Sequence, residues 1–166
     1  MKNLKTLLLI AVIALGFNNV QAQSKVAHIN LQELISLMPE TKVMKTTLEK
    51  LEKTNIDDLK AEDAILQAKY KKFQTELANQ TKEENEKRQL EIEQGKRKLQ
   101  AGAQAAQNDL NIKNNELVQP IIEKADKAVK AVAKAQGFDY VLDSSVLLVA
   151  NGTNLLSLVK AHLGIQ

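Results

Sequence analysis

Between Thr41 and Gln136 the sequence carries apolar residues at steps of three, four and seven over most of its length. This spacing is the repeat of a coiled coil, in which one apolar stripe of each helix packs against a partner helix. It predicts two long amphipathic helices rather than a compact domain. A long, thin pair of helices has almost no interior, so the pattern argues against an enclosed active site and hence against an enzyme.

A polar break divides this stretch near residues 79–82. The segment 79–84 (NQTKEE) contains no apolar residue, and Thr81 with Glu84 matches a Thr-x-x-Glu capping box. We therefore expect an antiparallel coiled-coil hairpin, the arm, over residues 41–136 with its turn near 79–82. One uninterrupted helix over the same range is the alternative.

Three residues of the second helix are candidate bending points of the arm: Gly95, Gly102 and Pro120. Glycine inside a helix costs about 1 kcal/mol relative to alanine, and proline removes one backbone hydrogen bond. The alternative for the two glycines is a close approach of the helices beside the small residues at 101–106. The sequence leaves both interpretations open.

Short segments on the N-terminal side of the arm predict part of a β body. Residues 25–30 (KVAHIN) have the length and β-branched content of a strand. Asn30 is expected to cap a short helix, which ends at Met38-Pro39 because the residue before a proline avoids the helical region. Residues 23–40 therefore form the first part of the body.

Residues 137–166 form the second part of the expected body. Gly137 occupies the position of a left-handed helix cap. Segments 138–143 (FDYVLD) and 146–150 (VLLVA) predict two strands. Thr153 or Asn154 is then expected to cap a final helix that runs from Leu155 to Leu163. The chain thus leaves the body, travels along the arm and returns.

The first 22 residues have the composition of a secretion signal. Two lysines precede an apolar run (7–17) that is too short to cross a bilayer, and small residues occupy the positions that a signal peptidase recognises. We expect cleavage between Ala22 and Gln23, which implies export. An uncleaved membrane anchor is the alternative.

The composition excludes several functions. Without Lys2 and Lys5 the 23 basic residues become 21, against 20 acidic residues, so the bulk charge does not favour nucleic acid. The chain has no cysteine, so disulfides and thiol chemistry are excluded. Aromatic residues are scarce, and we expect stability to come from helix packing and from association between subunits.

No catalytic residue, cofactor site or metal site is expected. His28 and His162 are the only histidines, and neither has a second ligand at metal-binding spacing. The glycines form no phosphate-binding loop, and the acidic pair Glu83-Glu84 lies in a charged, polar run.

Two basic clusters are candidate contacts for anionic membrane lipid or acidic polypeptide. One is Lys96-Arg97-Lys98, and the other is the row Lys124, Lys127, Lys130 and Lys134. Clustered cations near an anionic membrane surface gain about 1 kcal/mol each. An ordinary solvated helix face is the alternative.

Several segments together resemble the OmpH/Skp family of periplasmic chaperones. They are the strand and Asn-Leu-Gln turn at 29–32, the helical hairpin, the segment 116–122 (ELVQPII) and the segment 128–143 (AVKAVAKAQGFDYVLD). The order of Pro120, Gly137 and the strand ending at Asp143 is the most specific part. Before the last helix, only Thr153 of the family's Asp-hydrophobic-Thr motif is present.

The resemblance implies a homotrimer shaped like a jellyfish, in which a small β body carries three arms around a cavity. It implies an ATP-independent periplasmic holdase that binds unfolded outer-membrane proteins and prevents their aggregation, with lipopolysaccharide as a further anionic candidate. We expect client contacts on inward faces of the arms near 101–110 and 70–77. The residues expected in the trimer body are Val26, Ile29, Val141, Leu142, Leu147 and Val149.

A structural protein of the cell envelope is the alternative function. A coiled-coil scaffold or spacer that binds folded partners would have the same helical pattern.

Overall fold

The computed structural model describes residues 24–165. The expected signal peptide and its cleavage junction at Ala22 and Gln23 lie outside these residues. The elements in chain order are β1 (Val26–Ile29), α1 (Leu31–Leu37), α2 (Pro39–Glu76), a 3-10 turn (Leu77–Asn79), α3 (Lys82–Gln136), β2 (Tyr140–Asp143), a second 3-10 turn (Ser144–Val146), β3 (Thr153–Asn154) and α4 (Leu156–Leu163).

Helices α2 and α3 form the arm. They contain 38 and 55 residues, which corresponds to about 57 and 82 Å at 1.5 Å per residue. The chain reverses at 77–81, where the Thr81 hydroxyl accepts the Glu84 N–H at 3.2 Å. The arm is therefore a hairpin, as the capping box predicts, and the single uninterrupted helix is wrong.

The body contains a three-stranded parallel sheet in the order β2-β1-β3. Val26 lies opposite Tyr140 in β2, and Ala27 lies opposite Thr153 in β3. Parallel neighbours require a crossover connection rather than a tight turn. Between β1 and β2 that crossover is the whole arm together with α1, so both ends of the arm are held by one sheet.

The core of the body lies between the sheet, the short helices and the last turns of α3. Small residues of α3 let it pack closely in this core beside the short helices, since Ala125 and Ala128 are buried there. The largest fully buried side chains are Leu34, Met38, Leu155 and Val159. The part of α3 from Ile121 onward thus belongs to the body, although the heptad pattern continues through it.

One predicted strand is wrong. Residues 146–150 do not form a strand; the chain turns at Ser144–Val146, and the third strand is the two-residue β3. The Asp143 carboxylate accepts the Ser145 N–H at 2.9 Å, a contact that lowers the pKa of Asp143. This local turn chemistry outweighs the β propensity of the apolar residues that follow.

The ends of the last two elements differ slightly from expectation. Strand β2 begins at Tyr140 rather than Phe138, because the Asp139 N–H donates to the Lys25 carbonyl at 2.8 Å ahead of the ladder. Helix α4 begins at Leu156 rather than Leu155, and Leu155 occupies the N-cap position without a side-chain capping bond, so neither Thr153 nor Asn154 is the cap. The Asn154 side chain accepts the Leu156 N–H at 2.9 Å from the position before the cap.

Lys25 ties the start of β1 to the end of α3. Its ammonium donates to the Gln136 carbonyl at 2.7 Å and lies 4.2 Å from the centre of the Phe138 ring. Its backbone N–H donates to Asp139 at 2.8 Å. These contacts surround the left-handed Gly137, whose φ is 69°.

We predict opposite effects for alanine at two glycines of α3 and its cap. Gly137→Ala should lower the free energy of unfolding by about 1 kcal/mol, because a side chain disfavours the left-handed conformation. Gly102→Ala should raise it by up to about 1 kcal/mol through helix propensity, since the added Cβ would lie 3.4 Å from Leu59. Urea unfolding at equal protein concentration measures both, and a stabilising Gly137→Ala would contradict this reading of the cap.

Candidate functional site

Glycines of α3 face leucines of α2 along the seam of the arm. A Cβ at Gly95 would lie 2.5 Å from Cδ1 of Leu66, and one at Gly102 would lie 3.4 Å from Cδ2 of Leu59. The helix continues through both glycines and through Pro120. Close approach of the helices therefore accounts for Gly95, while bending at Gly95, Gly102 and Pro120 stays a prediction.

Asn55 interrupts the seam on α2. It is half-buried among the seam positions, and its Nδ2 is buried with no hydrogen-bond partner among residues 24–165. A polar group left in this state costs about 1–3 kcal/mol. The lower part of the arm is thus packed less favourably than an all-leucine seam would be.

The two sides of the seam differ in chemistry. On one side, here called the ion-pair flank, ion pairs connect α2 to α3 along the arm. Their partners recur at steps of seven on α2 (Glu62, Lys69 and Glu76), and the pairs are Glu40 with Lys124, Glu62 with Lys98, Lys69 with Glu91 and Glu76 with Arg88.

The opposite side, here called the open flank, has three grooves along the valley between the helices. Each is floored by apolar side chains and edged by polar ones. The α2 residues that line them recur at steps of three and four, so they share one face: Lys45, Leu48, Glu49 and Glu52 at the foot, Ile56, Leu59, Lys60, Asp63 and Ala64 in the middle, and Tyr70, Phe73, Gln74 and Leu77 at the tip.

Matching residues of α3 complete the three grooves. They are Leu110, Asn111 and Asn114 at the foot, Leu99 and Ala103 in the middle, and Ile92 with several polar residues at the tip. Among the ion pairs of residues 24–165 that join α2 to α3, only the pair of Glu76 with Arg88 reaches the open flank, because Arg88 also lines the tip groove. At the foot and middle grooves, no ion pair of these residues bridges the open flank.

Arg88 organises the tip of the arm. Its side chain is only 15% exposed, and it lies 3.0 Å from Glu76 and 3.3 Å from Glu84. The guanidinium also lies 4.7 Å from the centre of the Phe73 ring. Asn85 adds a hydrogen bond of 3.1 Å to the Leu77 carbonyl, so the turn is held by side chains from both helices.

Glu40 and Lys124 join the helices where the arm leaves the body. The hydrogen bond from Lys124, followed by one from the backbone, lowers the pKa of the Glu40 carboxyl. An apolar groove of about 540 Å³ lies beside this pair, lined by Val43, Leu117, Pro120 and others. This groove lies on the ion-pair flank and is confined to the foot of the arm.

The residues expected in the trimer body fall into two groups. Ile29 is buried in the core of the subunit, and Val141 and Leu147 are half-buried. Val26, Leu142 and Val149 are exposed apolar residues, with Val149 exposed by 70%. The exposed group is available for contact with another chain.

The basic cluster at 96–98 is partly neutralised within the arm. Lys98 lies 3.1 Å from Glu62, and Arg97 lies 3.9 Å from Glu93. Lys96 lines the tip groove. In the second basic row, Lys124 pairs with Glu40 and Lys130 lies 2.7 Å from Asp126.

The histidines are in different environments. His28 is buried in β1, and its Nε2 lies 3.1 Å from the Gly152 carbonyl; His162 lies on α4 and is exposed. Within residues 24–165, no three His, Asp or Glu side chains are grouped so that they could hold a metal ion. No helix in this part of the chain is sufficiently long and apolar to span a membrane.

The heptad spacing in the sequence predicts the seam but does not by itself predict the difference between the flanks. A signal for the ion-pair flank was present, because Glu62, Lys69 and Glu76 are seven residues apart and so are Glu91 and Lys98. The open flank left no comparable signal, since it is defined by residues that both helices contribute.

A long helical hairpin rooted at both ends in a small parallel sheet defines the architecture, and it is shared with a known structure. A putative outer membrane chaperone (OmpH-like) from Caulobacter crescentus CB15 aligns with a TM-score of 0.76, covering 86% of this chain and 85% of that chain at 16% identity. At this identity the likeness concerns the fold alone.

Sequence comparisons identify the family. The profile of the family described as Outer membrane protein (OmpH-like) matches residues 25–163. The chain is 27% identical over 138 residues to the Chaperone protein Skp of Pectobacterium atrosepticum, covering 82% of this chain and 84% of that protein. It is 28% identical over 145 residues to the Chaperone protein Skp of Escherichia coli K12, covering 87% and 88%. The chain belongs to the OmpH-like outer membrane protein family.

We predict that Arg88→Ala loosens the tip of the arm. Loss of two carboxylate contacts and of the stacking on Phe73 should lower protection against hydrogen exchange at 77–90 by about tenfold, equivalent to about 1.4 kcal/mol. Arg97→Ala is the matched control, because that arginine is exposed and lies 3.9 Å from Glu93. Equal protection at 77–90 in the two variants would show that Arg88 does not hold the turn.

We predict a pH-dependent contribution from Glu40. Its pKa in the folded protein lies below the ordinary value of 4.5, so the ion pair stabilises the fold above that pH and the stabilisation is lost as the pH falls through the lowered pKa. Glu40→Gln should therefore be less stable than the parent at pH 7, and the two should converge as the pH falls below 4.5 and through the lowered pKa. The difference should stay below about 1 kcal/mol because the pair is partly exposed.

Urea unfolding at pH 7, 5 and 3 measures this effect. Glu49→Gln is a suitable control, because Glu49 is exposed on α2 and is not a partner in the described ion pairs. A gap between parent and Glu40→Gln that does not shrink at low pH would contradict the assignment.

Proposed function

We propose that this protein is an ATP-independent holdase chaperone of the periplasm, which binds unfolded outer-membrane proteins and prevents their aggregation before insertion. The observation that carries the proposal is the family match over residues 25–163, together with relatives named Chaperone protein Skp that align over most of their length. Export by cleavage between Ala22 and Gln23 accords with such a location. The chain is proposed to act without a cofactor.

A chaperone of this kind needs no enclosed site. Unfolded barrel proteins expose apolar segments, and many weak contacts can shield them while each stays easily broken. The arm offers a long surface with apolar grooves and almost no interior of its own. Release needs no nucleotide if the client is more stable once it has folded in the membrane.

We further propose that three chains assemble into the active form, with the client in a cavity between three arms. Within residues 24–165, the sheet leaves the outer edges of β2 and β3 without a neighbouring strand, and open edges favour pairing with another chain. Exposed apolar residues of the body support the same idea: Val26, Tyr140, Leu142, Val146, Leu148 and Val149. Such residues on a small body favour self-association.

Anionic lipid or lipopolysaccharide is a further candidate partner at Lys96, Arg97 and Lys98. Two of these cations already pair with carboxylates of the arm. Their contribution to lipid binding is therefore expected to be smaller than that of a free basic cluster.

We predict that the purified mature chain, residues 23–166, suppresses aggregation of an outer-membrane β-barrel protein diluted from urea. One trimer per client should hold light scattering near baseline, without added nucleotide. A folded coiled-coil protein of similar length serves as the control for nonspecific protection. Unchanged scattering at this ratio would count against the holdase and favour the envelope scaffold.

The same sample tests the assembly. Sedimentation equilibrium should give three times the mass of the mature chain, and Val149→Lys should shift the distribution toward monomer because it places a charge in the proposed contact. A monomeric mass for the parent would rule out the trimer while leaving the aggregation result to be judged separately.

A further inference from the structure

We propose that the open flank, rather than the ion-pair flank, is the surface that holds the client. The proposed occupant is an extended segment of an unfolded outer-membrane protein in which every second residue is apolar. The inference rests on the proposed function and assigns it to one side of the arm.

The two flanks differ in how easily an apolar segment can enter the valley between the helices. Along the ion-pair flank, pairs such as Lys98 with Glu62 at 3.1 Å span the helices and cover the valley with charge. Along the open flank, the valley floor is apolar and unbridged among the described residues from Leu48 to Ala64, and only at the tip does a bridging side chain, Arg88, line the groove. An apolar segment that entered the first valley would have to displace ion pairs, whereas the second is already accessible.

Apolar side chains in the valley of the open flank are partly exposed to solvent. Ile56 in the middle groove and Tyr70 in the tip groove are 42% and 46% exposed. Covering such side chains removes apolar surface from water, which is favourable in proportion to the area buried. The grooves are shallow and separate, so each contact would be weak and the total would depend on several of them.

The valley of the open flank is long enough to hold a barrel strand. Leu48 and Leu77 are 29 positions apart on α2, a rise of about 44 Å. A transmembrane strand of about 9–11 residues extends about 33 Å at 3.3 Å per residue. The valley can therefore hold one such strand with part of the adjoining turn.

The valley also suits the alternating apolar and polar residues of such a strand. Strands of outer-membrane barrels alternate between apolar and polar residues, so one face of an extended strand would meet the groove floor and the other would face water. The rims carry both signs of charge, for example Lys60 and Asp63, and would tolerate either sign on the client. A third helix from a second copy fits less well, because the exposed apolar residues elsewhere on the two long helices (Val43, Ile65, Leu90, Ile112 and Ile122) do not form a continuous stripe.

A matched pair of substitutions tests the assignment. Ile56→Lys places a charge in the middle groove, and Ile65→Lys makes the same change at a more exposed position of α2 on the ion-pair flank. The affinity for a fluorescently labelled outer-membrane barrel protein, diluted from urea, should fall about fivefold or more for Ile56→Lys and less than twofold for Ile65→Lys. Circular dichroism should show equal helix content in both.

The outcome separates this proposal from the proposed function. If the parent fails to bind the unfolded client, the holdase itself is wrong. If the parent binds but both variants bind equally well, or Ile65→Lys is the weaker, the flank assignment is overturned and the holdase stands.

Crosslinking gives a readout that does not depend on affinity. The chain has no cysteine, so a photoreactive label can be placed at Ala64→Cys in the middle groove and at Ala61→Cys, an exposed alanine that lines none of the three grooves. The client should crosslink mainly to residue 64. Preferential capture at 61, or arm-to-arm crosslinks at 64 without client, would overturn the proposal.

A peptide competition tests the alternating pattern. A peptide of about 11 residues with alternating valine and threonine should reduce client crosslinking at residue 64. A peptide of the same composition with its valines grouped at one end should compete several-fold less well, because fewer of them can reach the groove floor together. Equal competition by the two peptides would show that the open flank does not distinguish alternating from grouped valines.

Discussion

The pairing of β1 with strands from the far end of the chain is the constraint on which the rest of the structure depends. β1 is the central strand, with β2 on one side and β3 on the other, and all three are parallel. Lys25 bonds to Asp139, 114 residues later. Because parallel neighbours need a crossover connection, the chain between β1 and β2 must leave the sheet and return to it. The arm forms most of that connection.

This arrangement explains why a thin hairpin can serve as a surface without becoming a loose tail. At its foot, the core of the body and the Glu40–Lys124 pair hold both helices. At its tip, Arg88 joins the last turn of α2 to the first turns of α3. Between these points the seam is thin, and Asn55 leaves a buried amide group without a partner. The flanks that remain exposed can therefore differ in chemistry without affecting the fold.

Local sequence signals predicted most of the elements of the fold. The Thr81 cap, the Gly137 cap and the heptad steps located both long helices, because each signal acts within one or two turns of its own residues. The strand expected at 146–150 failed for the same kind of reason, since the Asp143 side chain turns the chain before β propensity can act. β3 has only two residues and depends on its hydrogen bonds with β1. No local sequence pattern predicts that pairing.

The sequence by itself determined that this chain would form an arm of two amphipathic helices between short strands, and its family resemblance followed from the same segments. Only the tertiary structure decided which side of the arm is sealed and which is open. Glu62 and Lys98 are 36 residues apart, and Ile56 is still farther in sequence from Leu99 and Ala103, which complete its groove. Side chains on two antiparallel helices acquire a shared flank only when the register of the hairpin is set, and that register depends on the packing of Leu66 against Gly95 and on the turn at 77–81.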